Sequence, residues 1–477
     1  MNKHDLIRWI DDNSKRFCDM ADDIWANSEI AWREFFASRR QADDLTEEGF
    51  QVTWNIGDIN TAFVAEWGQG KPVIGFIGEY DALPGLSQKV QATREPVTDG
   101  APGQGCGHNL LGTGCLASAV AIKRWLEATG TPGTVRYYGC PAEEQISGKT
   151  FMARAGAFDD LDAALNYHPS SINAPGKGSA VGVYDLTFRF HGRTAHAGGS
   201  PHKGRSALDA VELMNVGVNY LREHVTEKVR IHYAITRGGD APNIVPAEAE
   251  VWYFVRAHER DELAEVAERV FKIAQGAALM TETSVERIFS GACSSVLNNH
   301  YLADLQYAAM QEIGPIPFTE QEKAFAQAIN DAYPDWNPKH MFAHLEVPPE
   351  MTETVESLRG QPLIAENLPA MDHRHIGTGS TDVGDVSWIT PLSMLNTACF
   401  ATGAAGHSWG VVATSGMSIG HKGMLHAAKI MALTAADLYA DPKHLSQAHQ
   451  EFEKATRDNP YVTPLPDDVK PPRYERP

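Results

Sequence analysis

Long apolar runs are missing from this chain. Nothing in its 477 residues approaches the roughly 20 consecutive apolar positions a membrane helix needs, and Asp5, Arg8, Asp11 and Asp12 interrupt any signal-peptide core at the N-terminus. A soluble, cytoplasmic protein is the expectation. Cysteine is scarce: six residues, scattered without paired spacing, argue against a disulfide framework and for free thiols or metal ligation in a reducing compartment. Basic residues are in deficit, 41 against 61 acidic, for a formal net charge of -20. Phosphate contacts require a clustered basic surface, and its lack here argues against nonspecific nucleic-acid binding. An anionic substrate would have to be held by local arginines against this background field. Repeats and low-complexity segments are also lacking, apart from a Pro-rich polar end, Asn459 to Pro477, expected as an irregular surface tail.

What is present is length and 43% apolar residues, enough for two domains. The run Val73-Ile74-Gly75-Phe76-Ile77 reads as a strand buried on both faces, ending at Glu79-Tyr80-Asp81. A helix from about Leu110 to Ala128, stopped by Gly130, precedes a second strand, Thr134 to Tyr138, which runs toward Glu143-Glu144. Ala163 to Tyr167 repeats the arrangement and ends at His168. Strands alternating with helices predict an α/β fold with a largely parallel sheet, whose strand ends are where ligands bind.

Near Val183 the pattern changes. Leu186, Phe188 and Phe190 alternate with Asp185, Thr187 and Arg189, which suits a sheet with one solvated face. A helix (Ser206 to Tyr220), strands near Val229 to Ile235 and Ala249 to Arg256, a helix (Arg260 to Met280) and a strand near Ser284 to Phe289 complete a βαββαβ, ferredoxin-like order. Residues 183-296 are therefore read as a domain inserted into a larger α/β domain of residues 1-182 and 297-477. The latter is expected to end with the helix Gly423 to Tyr439, and Trp336 to Thr378 to be a long loop with short helices.

Four signals carry chemistry. In Gly103-Gln104-Gly105-Cys106-Gly107-His108-Asn109 a thiol and an imidazole lie two residues apart in a glycine-rich turn opening a helix, a pair that suits a borderline-soft metal; a buried thiol beside a capping loop is the alternative. Glu143-Glu144 can divide labour between metal and proton, or be a solvated surface pair. His168 precedes Pro169 after a strand, where a structural histidine is the ordinary occupant. Gly406-His407-Ser408-Trp409 offers a last imidazole, with His421 and His426 as competitors. Together they place thiolate, imidazole and carboxylate at successive strand ends of one sheet.

Gly78-Glu79-Tyr80-Asp81-Ala82-Leu83-Pro84-Gly85, Gly105 to Asn109 and Gly406 to Trp409, in this order, resemble the metallopeptidases and amidohydrolases of peptidase clan MH, which include aminoacylase and the carboxypeptidase that cleaves folates. The resemblance covers almost the whole chain. It implies two divalent metal ions, manganese or zinc, held by Cys106, His108, Glu144, His168 and His407, with Cys106 bridging; His421 is the rival for the last position, and motif order favours His407. Glu143 takes the family's general acid/base position, moving a proton from the attacking water to the leaving amine. Where the better-known branch binds metal with a histidine and an aspartate, this chain has Glu79 and Asp81, so Asp81 is expected to orient a histidine ligand. Thr194-Ala195-His196-Ala197-Gly198 matches the family histidine that stabilises the oxyanion, often from the other subunit of a dimer. Asn243 and Arg256 match residues that grip the substrate carboxylate, a surface ion pair being the alternative for Arg256. In Gly379 to Asp385 the family's Glu-Asp pair is replaced by Thr381-Asp382, which leaves Asp382 and Asp385 unassigned.

The implied activity is hydrolysis of the amide bond of an N-acyl or N-aroyl amino acid, with p-aminobenzoyl-glutamate the nearest substrate in kind and an indole-acetyl amino acid or a dipeptide as alternatives. The inserted segment is expected to act as lid and dimerisation domain in a homodimer or with a related sister chain. A weakly active partner subunit is the alternative from a different class.

Overall fold

The computed structural model describes residues 2–343, 345–373 and 375–475. Its strands are, in chain order, β1 (Gln51–Trp54), β2 (Phe63–Gln69), β3 (Val73–Glu79), β4 (Gly133–Cys140), β5 (Ala163–Ser170), β6 (Ala174–Pro175), β7 (Ser179–Ala180), β8 (Gly182–His191), β9 (Arg230–Arg237), β10 (Glu248–Ala257), β11 (Ser284–Cys293), β12 (Ile376–Gly377) and β13 (Leu392–Ala398). The main sheet has the order β1-β2-β4-β3-β5-β13-β6. Its centre, β4-β3-β5-β13, is parallel, and antiparallel strands close both edges.

Every residue of β3 is buried because both faces of the sheet are covered. Ile74 and Phe76 face a core built largely from the helices His108–Thr129 and Ser418–Ala440, while Val73 and Ile77 face a second core with Phe151, Phe158 and Leu161. The helix His108–Thr129 is buried almost all round and stops at Gly130, whose φ of 67° is the left-handed conformation that suits glycine at a helix end. Gly112 lets this helix approach the end of β3: a Cβ there would lie 2.3 Å from the Glu79 carbonyl oxygen.

β8 to β11 form a second sheet, order β11-β8-β10-β9, with every neighbour antiparallel. With the helices Ala207–Leu221 and Arg260–Thr281 they give the βαββαβ order and the 4-1-3-2 strand arrangement of a ferredoxin-like unit. Leu186, Phe188 and Phe190 pack with Val251, Tyr253 and Val255 in a core of their own. Asp185, expected on the solvated face, is instead 5% exposed. Trp252 covers it and donates its indole N–H to the carboxylate at 2.5 Å, and burial lifts the Asp185 carboxyl to about 6.

Two expectations about the C-terminal region need correction. The helix predicted over Gly423 to Tyr439 begins five residues earlier, at Ser418, and a further helix, Pro442–Thr456, follows it. The tail has no helix or strand among its described residues, yet it is not merely superficial: Leu465 is buried, and the Tyr461 hydroxyl donates to Asp385 at 2.9 Å. Its proline content stopped helix formation without stopping packing. Trp336 to Thr378, expected as a loop with short helices, carries short helical turns, the helix Thr352–Leu358 and, at its end, the short strand β12, which pairs with β7. All six cysteines are unpaired, and among the described residues no helix is long and apolar enough to cross a membrane.

Candidate metal centre

The site forms where β3, β4 and β5 end. Gly107, at φ 80°, is the N-cap of the long helix, so His108 is its first residue and Cys106 lies in the turn before it. A side chain at Gly107 would meet Pro169 and Phe400, which places the turn against the end of β5. His168 lies inside β5, near its end, where sequence had placed it just beyond the strand. After β4, Glu143 and Glu144 sit in a single 3-10 turn flanked by Ala142 and Ile146, both at positive φ (57° and 58°). For residues with a Cβ, such backbone costs about 1–2 kcal/mol each, and it is held here by surrounding contacts. Buried Glu34 supplies one of them: its carboxylate accepts the N–H groups of Ala142 and Trp32 and the hydroxyl of Thr61. Burial, then the nearby Asp81 charge, lift its carboxyl to about 8.

Asp81 joins two of these pieces. One oxygen lies 2.9 Å from His108 Nδ1, and the other accepts the Glu144 backbone N–H at 2.9 Å. With Nδ1–H directed at the carboxylate, Nε2 of His108 is left with its lone pair free for a ligand. His168 is oriented likewise: its Nδ1 lies 2.8 Å from the Pro169 carbonyl, and its Nε2 faces Cys106 Sγ at 3.3 Å. His407, at φ 56°, is held by its N–H donating to the Gly105 carbonyl, and its Nε2 lies 3.6 Å from Glu144.

The donor atoms fall into two sets with Cys106 common to both: Cys106 with His108 and His168, and Cys106 with Glu144 and His407, each within 4.8 Å. A third set joins Glu79, His108 and Glu143. His108 Nε2, Glu144 Oε1 and Glu79 Oε2 are buried without a hydrogen-bond partner. Uncompensated buried polar atoms are costly, and several facing one another beside a thiol mark a place suited to a cation. The electrostatics agree. Burial pushes the Cys106 thiol up to about 12 and Glu144 to about 7, and burial with the Glu79 charge raises Glu143 well above the carboxylate range. Burial lowers His168. A bound cation would reverse the penalty on thiolate and carboxylate and favours the neutral imidazoles.

Sequence reasoning missed Lys149. It is fully buried, and its ammonium lies 2.7 Å from Glu79 Oε1 and 2.6 Å from Asp382 Oδ1, while its backbone N–H donates to the other Asp382 oxygen. Buried lysine is rare and nothing in the local pattern marks it. Asp382 thus reaches the site through Lys149 and Glu79, while Asp385 accepts from Thr150, Ser294 and Tyr461.

The rival histidines lie elsewhere. His426 Nε2 is 2.9 Å from the Asn367 side-chain oxygen, and burial pushes it down to about 3. His421 Nε2 is 2.8 Å from Asp22. Burial alone would lower His421, but the hydrogen bond to Asp22 outweighs it and lifts the imidazole to about 9. A raised folded-state pKa stabilises the fold fully below the unfolded value, about 6.5, and the contribution is lost as pH rises through about 9. His421→Ala is therefore expected to lower the melting temperature most below pH 6.5 and progressively less toward pH 9, with metal content unchanged; loss of metal would place His421 back in the centre.

His196, Asn243 and Arg256 belong to the second sheet and its loops. His196 is exposed, and its Nδ1 accepts the N–H groups of Gly198 and Gly199, so the proton resides on Nε2, which meets no acceptor among the described residues. Asn243 is exposed and its carbonyl accepts the Ala197 N–H. Arg256 has no ion pair among the described residues; it donates to the Ser380 hydroxyl at 2.7 Å, and burial lowers its guanidinium. Beside His407 opens a cavity of about 470 Å³ between the segment Gly85–Gly100 and Trp409.

Comparison with known proteins identifies the family. Residues 179–280 match the M20 peptidase dimerisation domain. The chain is 45% identical to one of the subunits of p-aminobenzoyl-glutamate hydrolase of Escherichia coli, over 98% of this chain and 99% of that one. It is 28% identical to the Xaa-Arg dipeptidase of Mus musculus, over 93% and 90%. The structure of the aminobenzoyl-glutamate utilization protein from Klebsiella pneumoniae shares the fold, with a TM-score of 0.62 at 17% identity over 91% of this chain and 98% of that one. Near-full-length identity to a curated hydrolase, together with the dimerisation domain, places this chain in the M20 family of peptidases, hydrolases that act on amide bonds.

Proposed function

We propose that this protein hydrolyses the amide bond of an N-aroyl or N-acyl amino acid, p-aminobenzoyl-glutamate foremost, using two divalent metal ions, manganese or zinc. The observation that carries it is the pair of donor sets sharing Cys106, with His108 Nε2 and Glu144 Oε1 buried among them without a hydrogen bond. Cys106 would bridge, with His108, Glu144, His168 and His407 as the other ligands. Bound there, the ions would polarise the amide carbonyl and acidify the attacking water. Asp81 orients His108 and fixes the Glu144 backbone, and Glu143 takes the water's proton and returns it to the leaving amine. Arg256 and Asn243 hold the substrate carboxylate, and His196 Nε2–H stabilises the oxyanion.

Residues 1-182 and 297-477 are the catalytic domain in this account, and residues 183-296 the lid and dimerisation domain. His196 and Asn243 are exposed and stand outside the donor sets, which supports their acting across an interface in a dimer. The Escherichia coli relative is itself one subunit of a hydrolase, which favours a sister chain as the partner over a second copy. Six unpaired cysteines, one of them a ligand, suit the cytoplasm.

Metal analysis and p-aminobenzoyl-glutamate hydrolysis, measured on wild type and Cys106→Ala purified without chelator, test this directly. About two ions per chain and turnover in the wild type, both lost in the variant, are expected. A metal-free wild type overturns the ligand assignment, and a metal-loaded chain that needs a second subunit for turnover would identify it as the weaker partner of a pair.

A further inference from the structure

We infer that the cavity beside His407 is the subsite for the acyl group, and that it selects an aromatic ring bearing an amino group through Asp99 and Arg94; this rests on the reading of the chain as an aroyl-amino-acid hydrolase. The cavity, about 470 Å³, has His407 in its lining, so a group seated there borders the donor set of Cys106, Glu144 and His407. Leu86, Pro96 and Trp409 supply its apolar walls. Trp409 is rigid: Tyr333 stacks on it at 5.3 Å and 3°, and the Tyr333 hydroxyl bonds to Ser408 Oγ at 2.6 Å and accepts the Gly410 N–H at 3.0 Å. A braced flat wall of this kind favours a planar ring over a flexible chain.

The polar lining divides into committed and free groups. The Gln88 side chain donates to the Lys89 and Thr93 carbonyls and accepts the Glu95 N–H, and Ser87 Oγ accepts the Thr98 N–H. These bonds brace the loop and leave little for a ligand. The Asp99 carboxylate and the Arg94 guanidinium, also in the lining, have no hydrogen bond or ion pair among the described residues. The Asp99 carboxylate disfavours a second carboxylate beside it. It accepts a hydrogen bond from an aryl amine instead. A guanidinium beside an apolar slot stacks on an aromatic face. The two groups together suit a 4-aminoaroyl group better than an acetyl group or an unsubstituted ring.

The test compares kcat/KM for p-aminobenzoyl-glutamate and benzoyl-glutamate with the metal-loaded full chain, as wild type and Asp99→Ala, with any sister chain the wild type requires. The wild type is expected to prefer the amine-bearing ring about tenfold, the worth of one hydrogen bond to a charged acceptor, and the preference should fall to near one in the variant. A ratio in Asp99→Ala within twofold of wild type, or a wild type indifferent to the amine, overturns the subsite while leaving the hydrolase reading intact. A metal-loaded wild type that cleaves neither compound removes both. Asp99 is exposed, so the variant retains the fold, and melting temperatures of the two proteins confirm this.

Discussion

Glu143→Gln is expected to lower kcat for amide hydrolysis by about 10²–10⁴-fold, the usual contribution of a positioned general acid and base, with metal content near wild type. The expectation follows from the separation of roles between neighbouring carboxylates. Glu144 belongs to the donor set with Cys106 and His407, whereas Glu143 Oε2 stands 3.9 Å from His108 Nε2 and outside both sets that share Cys106. Burial, and then Glu79, favour its protonated form, so its affinity for a proton from water is high compared with an exposed glutamate. Glutamine keeps the shape and removes the proton carrier. Metal analysis alongside steady-state kinetics separates the outcomes: retained turnover sinks the proton-transfer role, and parallel loss of metal and turnover makes Glu143 a ligand.

Much of this candidate site was legible in the sequence because the side chains that suit a metal are of few kinds and fall at strand ends. Cys106-x-His108 and Glu143-Glu144 are short-range patterns, and their joint presence at successive strand ends of a parallel sheet predicts convergence. The ferredoxin-like order was equally readable, since apolar alternation along β8 and β10 differs from the continuous apolar run of β3. What stayed hidden depends on long-range placement. The choice between His407 and His421 needs three dimensions: both follow a glycine in sequence, but His407 meets Glu144, whereas His421, inside the helix Ser418–Ala440, meets Asp22. Glu34, 108 residues from the Ala142 amide it accepts, carries no local mark of function. The helix Pro442–Thr456 was missed because its polar composition and its lone buried Ala448 lack the wide apolar face that signals a packed helix.

Lys149 is the clearest case of such a hidden residue, and its loss should have the largest effect on stability. Lys149→Met leaves Glu79 and Asp382, both buried, without the cation between them. Breaking a buried pair by deleting one partner costs about 3–5 kcal/mol, because the remaining charge is uncompensated. Burial by itself would lower the lysine's pKa, but Asp382 and Glu79 outweigh it and raise it well above its ordinary value, so the ammonium is charged throughout the working range. A lower denaturant midpoint is expected, together with weaker metal binding by about 10–100-fold, since Glu79 lies 3.3 Å from His108 Nε2 and shifts when its anchor is removed. The triple change Lys149→Met, Glu79→Gln, Asp382→Asn removes the charges as well as the cation and should recover most of the lost stability, as apolar or neutral replacements of whole buried ion pairs do. Metal affinity should stay low in that variant, because Glu79 no longer carries a charge beside the centre. Full recovery of both would make the triad structural, whereas recovery of stability alone would show that the ammonium holds Glu79 in place beside the proposed metal ligand His108.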